Sequence, residues 1–200
     1  EGAWIRNAFV TTSLSSPSRA SILTGMYSHS HKVVDNSAPM PAGLTFFPEY
    51  LQQVGYQTGF FGKWHMGNDT GDPQPGFNHW ESFSGQGEYY NPRLNVNGKW
   101  IRYADSTYVT DLLTTHAIEF MKQQQTSHKP FMVYLSHKGV HDNFSPAKRH
   151  KGCYSGKPLV IPLSFDTSKE KIKALPTIDP STGKAAAGKD YYGENMLPDW

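Results

Sequence analysis

Apolar positions recur along the chain with two periods, and the period changes wherever glycine and proline intervene. From Ser106 to Gln124, the residues Val109, Leu112, Leu113, His116, Ala117 and Phe120 return at helical spacing and predict one amphipathic helix, with His116 as a core histidine on its apolar stripe. After Pro130 comes an unbroken apolar run, Phe131-Met132-Val133-Tyr134-Leu135, the pattern of a strand covered on both faces. Phe46 to Val54, closed by Gly55, predicts a helix, and Tyr56 to Phe61 a strand. Ala3 to Thr11, with Trp4, Ile5, Phe9 and Val10, predicts a short strand. Ser16 to Tyr27 then predicts a helix, with Ser15 or Ser16 as N-cap, Pro17 in the first turn and Gly25 near the end. Arg93 to Arg102 reads as a hairpin, because Asn97-Gly98 suits a type I′ turn. Strands alternating with helices predict an α/β fold whose sheet is mostly parallel and flanked by helices. Beyond Pro146 no period survives. Residues 1–150 are therefore expected to form the domain, and residues 151–200 an irregular surface excursion of it.

Composition narrows the function classes. Aromatic residues reach 14% and the net charge is only +2, which excludes a disordered chain. The 19 Lys and Arg nearly balance the 17 Asp and Glu, so neither composition nor charge argues for nucleic acid as a partner. No apolar run approaches the ~18–20 residues that span a bilayer, so no membrane segment is expected. Glu1 to Arg6 reads as the middle of a domain rather than as a leader. A single cysteine, Cys153, excludes a disulfide framework and a cysteine-built zinc site.

The chemistry gathers in three polar clusters, each after a predicted strand: Ser13 to Arg19, Gly62 to Gly67, and Ser136 to His141. In open α/β sheets, ligands bind beyond the carboxyl ends of the strands. If the strands are parallel, two lysines, one arginine and three histidines share one cleft, and such a cleft suits an anion. The first cluster also opens a helix, whose free N–H groups and dipole favour negative charge. Ser15 there is either a nucleophile facing a phosphate or sulfate ester, with Arg19 one turn on, or a plain N-cap.

These residues carry a resemblance. Ser15-Ser16-Pro17-Ser18-Arg19-Ala20-Ser21-Ile22-Leu23-Thr24-Gly25 resembles the signature of the type I sulfatases, in the alkaline phosphatase superfamily, at every fixed position of that pattern. Gly62-Lys63-Trp64-His65-Met66-Gly67 resembles the family's second signature, and Phe131 to Phe144 its strand and histidine loop, with Asp142 where a proline often stands. The likeness runs from about residue 4 to 150. It implies an alkaline-phosphatase-like fold, here a partial domain, and hydrolysis of a sulfate ester. Gly85 to Pro92 and the following hairpin look like those of glycan-acting members, which implies a sulfated carbohydrate substrate.

By the same resemblance, Ser15 is oxidised to formylglycine by a dedicated maturase. One hydroxyl of its hydrate attacks sulfur, and the other later expels sulfate. The formylglycine oxygen is also one ligand of a calcium ion held against the sulfate. Arg19 would orient the diol, Lys63 bind a sulfate oxygen, His65 hydrogen-bond the nucleophile, and His141 donate a proton to the leaving oxygen. His137 would either line the substrate pocket or cap its strand. Trp80, Tyr89, Tyr90 and Trp100 would either stack on sugar rings or pack in the core, and Lys148 to Lys151 form either a solvated face or a basic rim for a polyanionic glycan. The family's Asp-Asp pair upstream of the nucleophile, and its Asp with Asn or His downstream of the histidine loop, have no counterpart in this chain; Asp35-Asn36 reads as a chance pair. The chain is therefore expected to be an internal portion of such a domain, working in the periplasm or outside the cell. Two rival functions remain: a phosphatase or phosphodiesterase using unmodified Ser15, and an inactive sulfate- or glycan-binding module.

Overall fold

Strand β1 (Gln57–Lys63) is buried from its second residue to its last, as a strand is when both faces of its sheet are covered. The computed structural model describes residues 2–68 and 70–158, and the backbone of residues 177–178 and 185–186. Around β1 the sheet runs β4-β3-β2-β1-β5, with β2 (His79–Phe83), β3 (Arg93–Val96), β4 (Lys99–Arg102) and β5 (Phe131–Ser136). β1 pairs in parallel with both β2 and β5, whereas the β2–β3 and β3–β4 ladders are antiparallel. The parallel part is the centre, and the expected hairpin extends it on one side. Asn97 and Gly98 both take positive φ (49° and 89°), as a type I′ turn requires.

Helices cover the two faces. Phe60, Trp64 and Trp80 form one apolar layer with Ala20 and Leu23 of α1 (Ser15–Thr24), and with Val33 and Phe46. α2 (Ser28–His31) and α3 (Phe47–Gln53) lie on this part of the chain, the latter against β1. Phe61, Phe83 and Leu94 form the other layer with Val109, Leu113, Ala117 and Phe120 of α4 (Val109–Ser127), the stripe that the periodicity marks. The alternation of Phe60 and Phe61 between the layers is the two-residue period of a strand.

Two expectations fail. Residues 3–11 form no strand, and Trp4, Ile5, Phe9 and Val10 are exposed. A strand needs a ladder, and this segment pairs with none among the described residues. β5 is not covered on both faces: it stands at the edge of the described sheet, with Phe131 and Leu135 each 38% exposed. Val133, on the same face, packs beneath the α4 layer while the ends of the strand lie outside it.

His116 is satisfied, as expected of a core histidine. Its Nδ1 pairs with Oε2 of Glu81 at 2.7 Å, while His79 Nε2 takes Oε1 at 2.8 Å. Trp80 and Tyr89 are core residues, whereas Trp100 is 37% exposed beneath the Arg93 guanidinium. Residues 148–151 are exposed. The chain divides at Lys151–Gly152 into two units. In the second, residues 152–158 are mostly turns, and β6 (Thr177–Ile178) pairs antiparallel with β7 (Ala185–Ala186); the rest of the expected excursion, 151–200, lies outside the described residues.

Candidate active site

The parallel register aligns Lys63 with Phe83 and Gly62 with Ser136, so β1, β2 and β5 deliver their carboxyl ends to one edge. The segments that leave those ends are 64–67, 84–91 and 137–141, and the N-terminus of α1 meets them there. Gly62 makes the approach possible: its φ is 119°, and a Cβ would lie 1.9 Å from the carbonyl oxygen of Ser136.

α1 begins differently from the expectation. Neither serine is its N-cap; Leu14 is, and the amide of Ser16 donates to Asn36 Oδ1 at 2.9 Å. The Ser16 hydroxyl donates to the carbonyl of His65 at 2.5 Å. Asn36, in the pair read as chance, thus performs the cap from 20 residues away, and Ser15 sits in the first turn with its hydroxyl directed elsewhere. Lys63 Nζ donates to Ser15 Oγ at 3.4 Å and to Gln86 Oε1 at 2.5 Å.

Arg19 ties the elements together: its Nη1 donates to the Lys63 carbonyl and to Ser136 Oγ, both at 2.7 Å. His65 follows with φ 51°, an uncommon conformation for a residue other than glycine, held between Trp64 and Met66, each 2% exposed. Its Nε2 lies 3.4 Å from Nε2 of Gln86. Burial, and then the charges of Lys63, Arg19 and His141, push the His65 pKa down to about 4, so the ring is neutral at pH 7.

The histidine loop is held from the side. Tyr89 OH donates to the carbonyl of His141 at 2.7 Å, and Lys138 Nζ stands 4.7 Å from the centre of the Tyr89 ring. His141 Nδ1 lies against the Asp142 carboxylate. His137 makes no hydrogen bond to Ser15, Lys63 or His65; its Nδ1 is buried without a partner among the described residues, and burial lowers its pKa. A concavity of about 630 Å³ opens beside Ser15, lined by Ser18, Arg19 and Ile22 of α1 and by 133–136 of β5.

The arrangement is a serine hydroxyl in a first helical turn, facing a buried lysine, with an arginine and a neutral histidine at hand. It favours an anion. It does not fit calcium, which needs about six to eight oxygen ligands. The described groups at Ser15 include two cations, and among the described residues no three of His, Cys, Asp and Glu stand together as a metal cage. Sequence reasoning missed Gln86 as a contact of Lys63 and His65, and Asn36 as the cap. Gly85 and Gly87 flanking Gln86 directly after a strand were the available signal for the first.

The family model described as Sulfatase matches residues 1–158. An N-acetylglucosamine-6-O-sulfatase of Bacteroides thetaiotaomicron is 37% identical over 204 residues, covering 100% of this chain and 34% of the relative. A human N-acetylglucosamine-6-sulfatase is 29% identical over 174 residues, covering 76% of this chain and 31% of the relative. A solved structure of a protein in complex with its substrate D-glucosamine-2-N,6-O-disulfate superposes with a TM-score of 0.70 at 39% identity, covering 79% of this chain and 31% of that one. The chain thus spans about a third of the length of the relatives it matches.

Proposed function

The chain belongs to the sulfatase family, and from that premise we propose that it hydrolyses the sulfate ester of a sulfated carbohydrate, with position 15 as the nucleophile. The observation that carries the reading is the approach of Lys63 Nζ to Ser15 Oγ, between residues 48 apart in sequence. A buried ammonium beside a hydroxyl at a helix N-terminus suits a sulfuryl group, whose charge it offsets as the ester is attacked. The sulfatase names of the relatives and the glucosamine disulfate of the solved complex favour 6-O-sulfated glucosamine or N-acetylglucosamine as the sugar.

In this reading Ser15 is converted to formylglycine by a maturase, and the aldehyde hydrate supplies both an attacking hydroxyl and a route for expelling sulfate. Lys63 binds a sulfate oxygen. Arg19, through the Lys63 carbonyl and Ser136, keeps α1 docked on the strand ends. His65, neutral at pH 7, accepts a proton near position 15, and His141 donates one toward the leaving oxygen. His137 lines the substrate side of the loop. The calcium implied for the family would take its carboxylates from the portion of the relatives that this chain does not span. Residues 1–150 belong to the catalytic domain. The protein works in the periplasm or outside the cell.

The test is the full-length enzyme against N-acetylglucosamine-6-sulfate and a chromogenic sulfate ester, beside the matching phosphate esters. Sulfate release with no phosphate release is expected. Phosphate release with unmodified Ser15 marks a phosphatase, and binding without turnover marks an inactive module. Mass spectrometry of the peptide spanning 15–19, from a host with the maturase, should show loss of two hydrogens.

A further inference from the structure

We propose that Gln86 is a positioning residue that couples the Lys63 ammonium to the His65 ring and fixes that ring as the Nδ1–H tautomer, with Nε2 an acceptor. The inference rests on the reading of Lys63 and His65 given above. It follows from which groups can donate. A lysine ammonium has three donors and no acceptor, so the Gln86 atom 2.5 Å from Lys63 Nζ must be the amide oxygen. The other end of a planar amide is then its NH₂ group, which only donates. That group lies 3.4 Å from His65 Nε2, so Nε2 must present its lone pair. A neutral imidazole with Nε2 unprotonated carries its proton on Nδ1. The positive charge at Lys63 therefore selects the tautomer of His65 through one intervening amide.

The backbone is built to hold Gln86 there. β2 runs beside β1, with Phe83 opposite Lys63, and the chain turns immediately afterwards. Gly85 and Gly87 both take left-handed φ (62° and 66°), and the Gly87 amide donates back to the Ser84 carbonyl at 3.3 Å. A Cβ at Gly87 would lie 2.5 Å from the Phe83 ring, so the turn closes tightly on the strand end. The amide is thus delivered on a short, fixed lever rather than from a long loop. Because hydrogen bonds in a chain polarise one another, an anion drawing on the Lys63 ammonium changes the bond at His65 as well.

The experiment uses the full-length enzyme with ¹⁵N-labelled histidine, and reads the His65 tautomer from long-range ¹H–¹⁵N correlations at pH 7. Wild type should show Nδ1 protonated and Nε2 bare. Gln86→Glu has the same shape but can only accept, so it keeps the Lys63 contact and should invert the tautomer, with Nε2 protonated. Gln86→Leu removes both contacts and should give a mixture. Both variants should lose about 10- to 100-fold in kcat, the range for a residue that orients another, with KM changed far less. An Nε2–H tautomer in wild type, or an unchanged tautomer in both variants, overturns the proposal. If wild type releases no sulfate, the sulfatase reading falls, while the tautomer still decides the Gln86 network.

Discussion

Lys63 is 3% exposed, and an ammonium is taken out of water at large cost unless polar groups receive it. Gln86 and the hydroxyl of Ser15 are among those groups. A cation so placed is preorganised for an arriving anion, and this is the arrangement that helps a transition state more than a ground state. Lys63→Ala and His65→Ala in the full-length enzyme should each lower kcat for sulfate esters by about 10²–10³, with the far-ultraviolet circular dichroism of wild type retained. Steady-state kinetics decide it: near wild-type turnover in both variants would mean that the anion site is assigned to the wrong residues. That Ser15, Arg19 and Lys63 gather at one sheet edge was legible because their motifs are contiguous in sequence and follow parallel strands. Asn36 was not, because it acts on a residue 20 positions away and no local pattern encodes such a contact; for Gln86 the flanking glycines mark a turn after a strand but not which side chains its amide reaches.

Elements formed by local rules were legible to within a few residues. The stripe of α4, the type I′ turn and the glycine-closed helix before β1 depend on neighbours in sequence. What failed depends on distant partners: whether residues 3–11 find a ladder, and what lies on the outer side of β5. Gly62 shows how narrow such a non-local requirement is. Gly62→Ala combines a φ of 119° with a Cβ 1.9 Å from Ser136 O, so it should part β1 from β5 and destabilise by more than about 2 kcal/mol. Gly98→Ala has a φ of 89° but open space, and should cost about 1 kcal/mol in the same urea titration. Equal effects would refute the contact argument.

α4 offers a second element-scale test. The hydrogen bond with Glu81 raises the His116 pKa against the opposing effect of burial. For Glu81, burial acts upward, but the bonds from His116 and His79 outweigh it and the pKa falls. His116 therefore adds stability that is complete below about pH 6.5 and fades as pH rises through its folded pKa. Glu81 adds stability present above about pH 4.5 and lost on acidification. The α4–β2 contact should be firmest between these limits. Urea midpoints should decline above pH 6.5 in wild type, and His116→Gln should flatten that decline; an unchanged slope would remove the pair from the stability of the fold.

At the scale of the molecule, the described cations Lys63 and Arg19 stand at the candidate site. Six of the described carboxylates are engaged elsewhere: Glu49 accepts from the amide of Phe46, Asp72 from Asn95, and Glu81 from two histidines. Glu88 pairs with Arg102, and Asp111 is forked by Arg149. Asp142 faces His141. Moving any of these to Ser15 would break its present pairing and leave a partner unsatisfied, and calcium needs several charged oxygens at once. A single hydroxyl or diol at position 15 among Lys63 and Arg19 cannot replace them, because those cations repel a second one. The 200-residue chain alone should therefore bind calcium more weakly than about 1 mM, below even the weak extracellular sites. Calorimetric titration of that chain with calcium is the measurement. Micromolar binding that disappears in Ser15→Ala would show that the ligand set lies within these residues, and that the site is organised around the metal rather than around an anion held by Lys63.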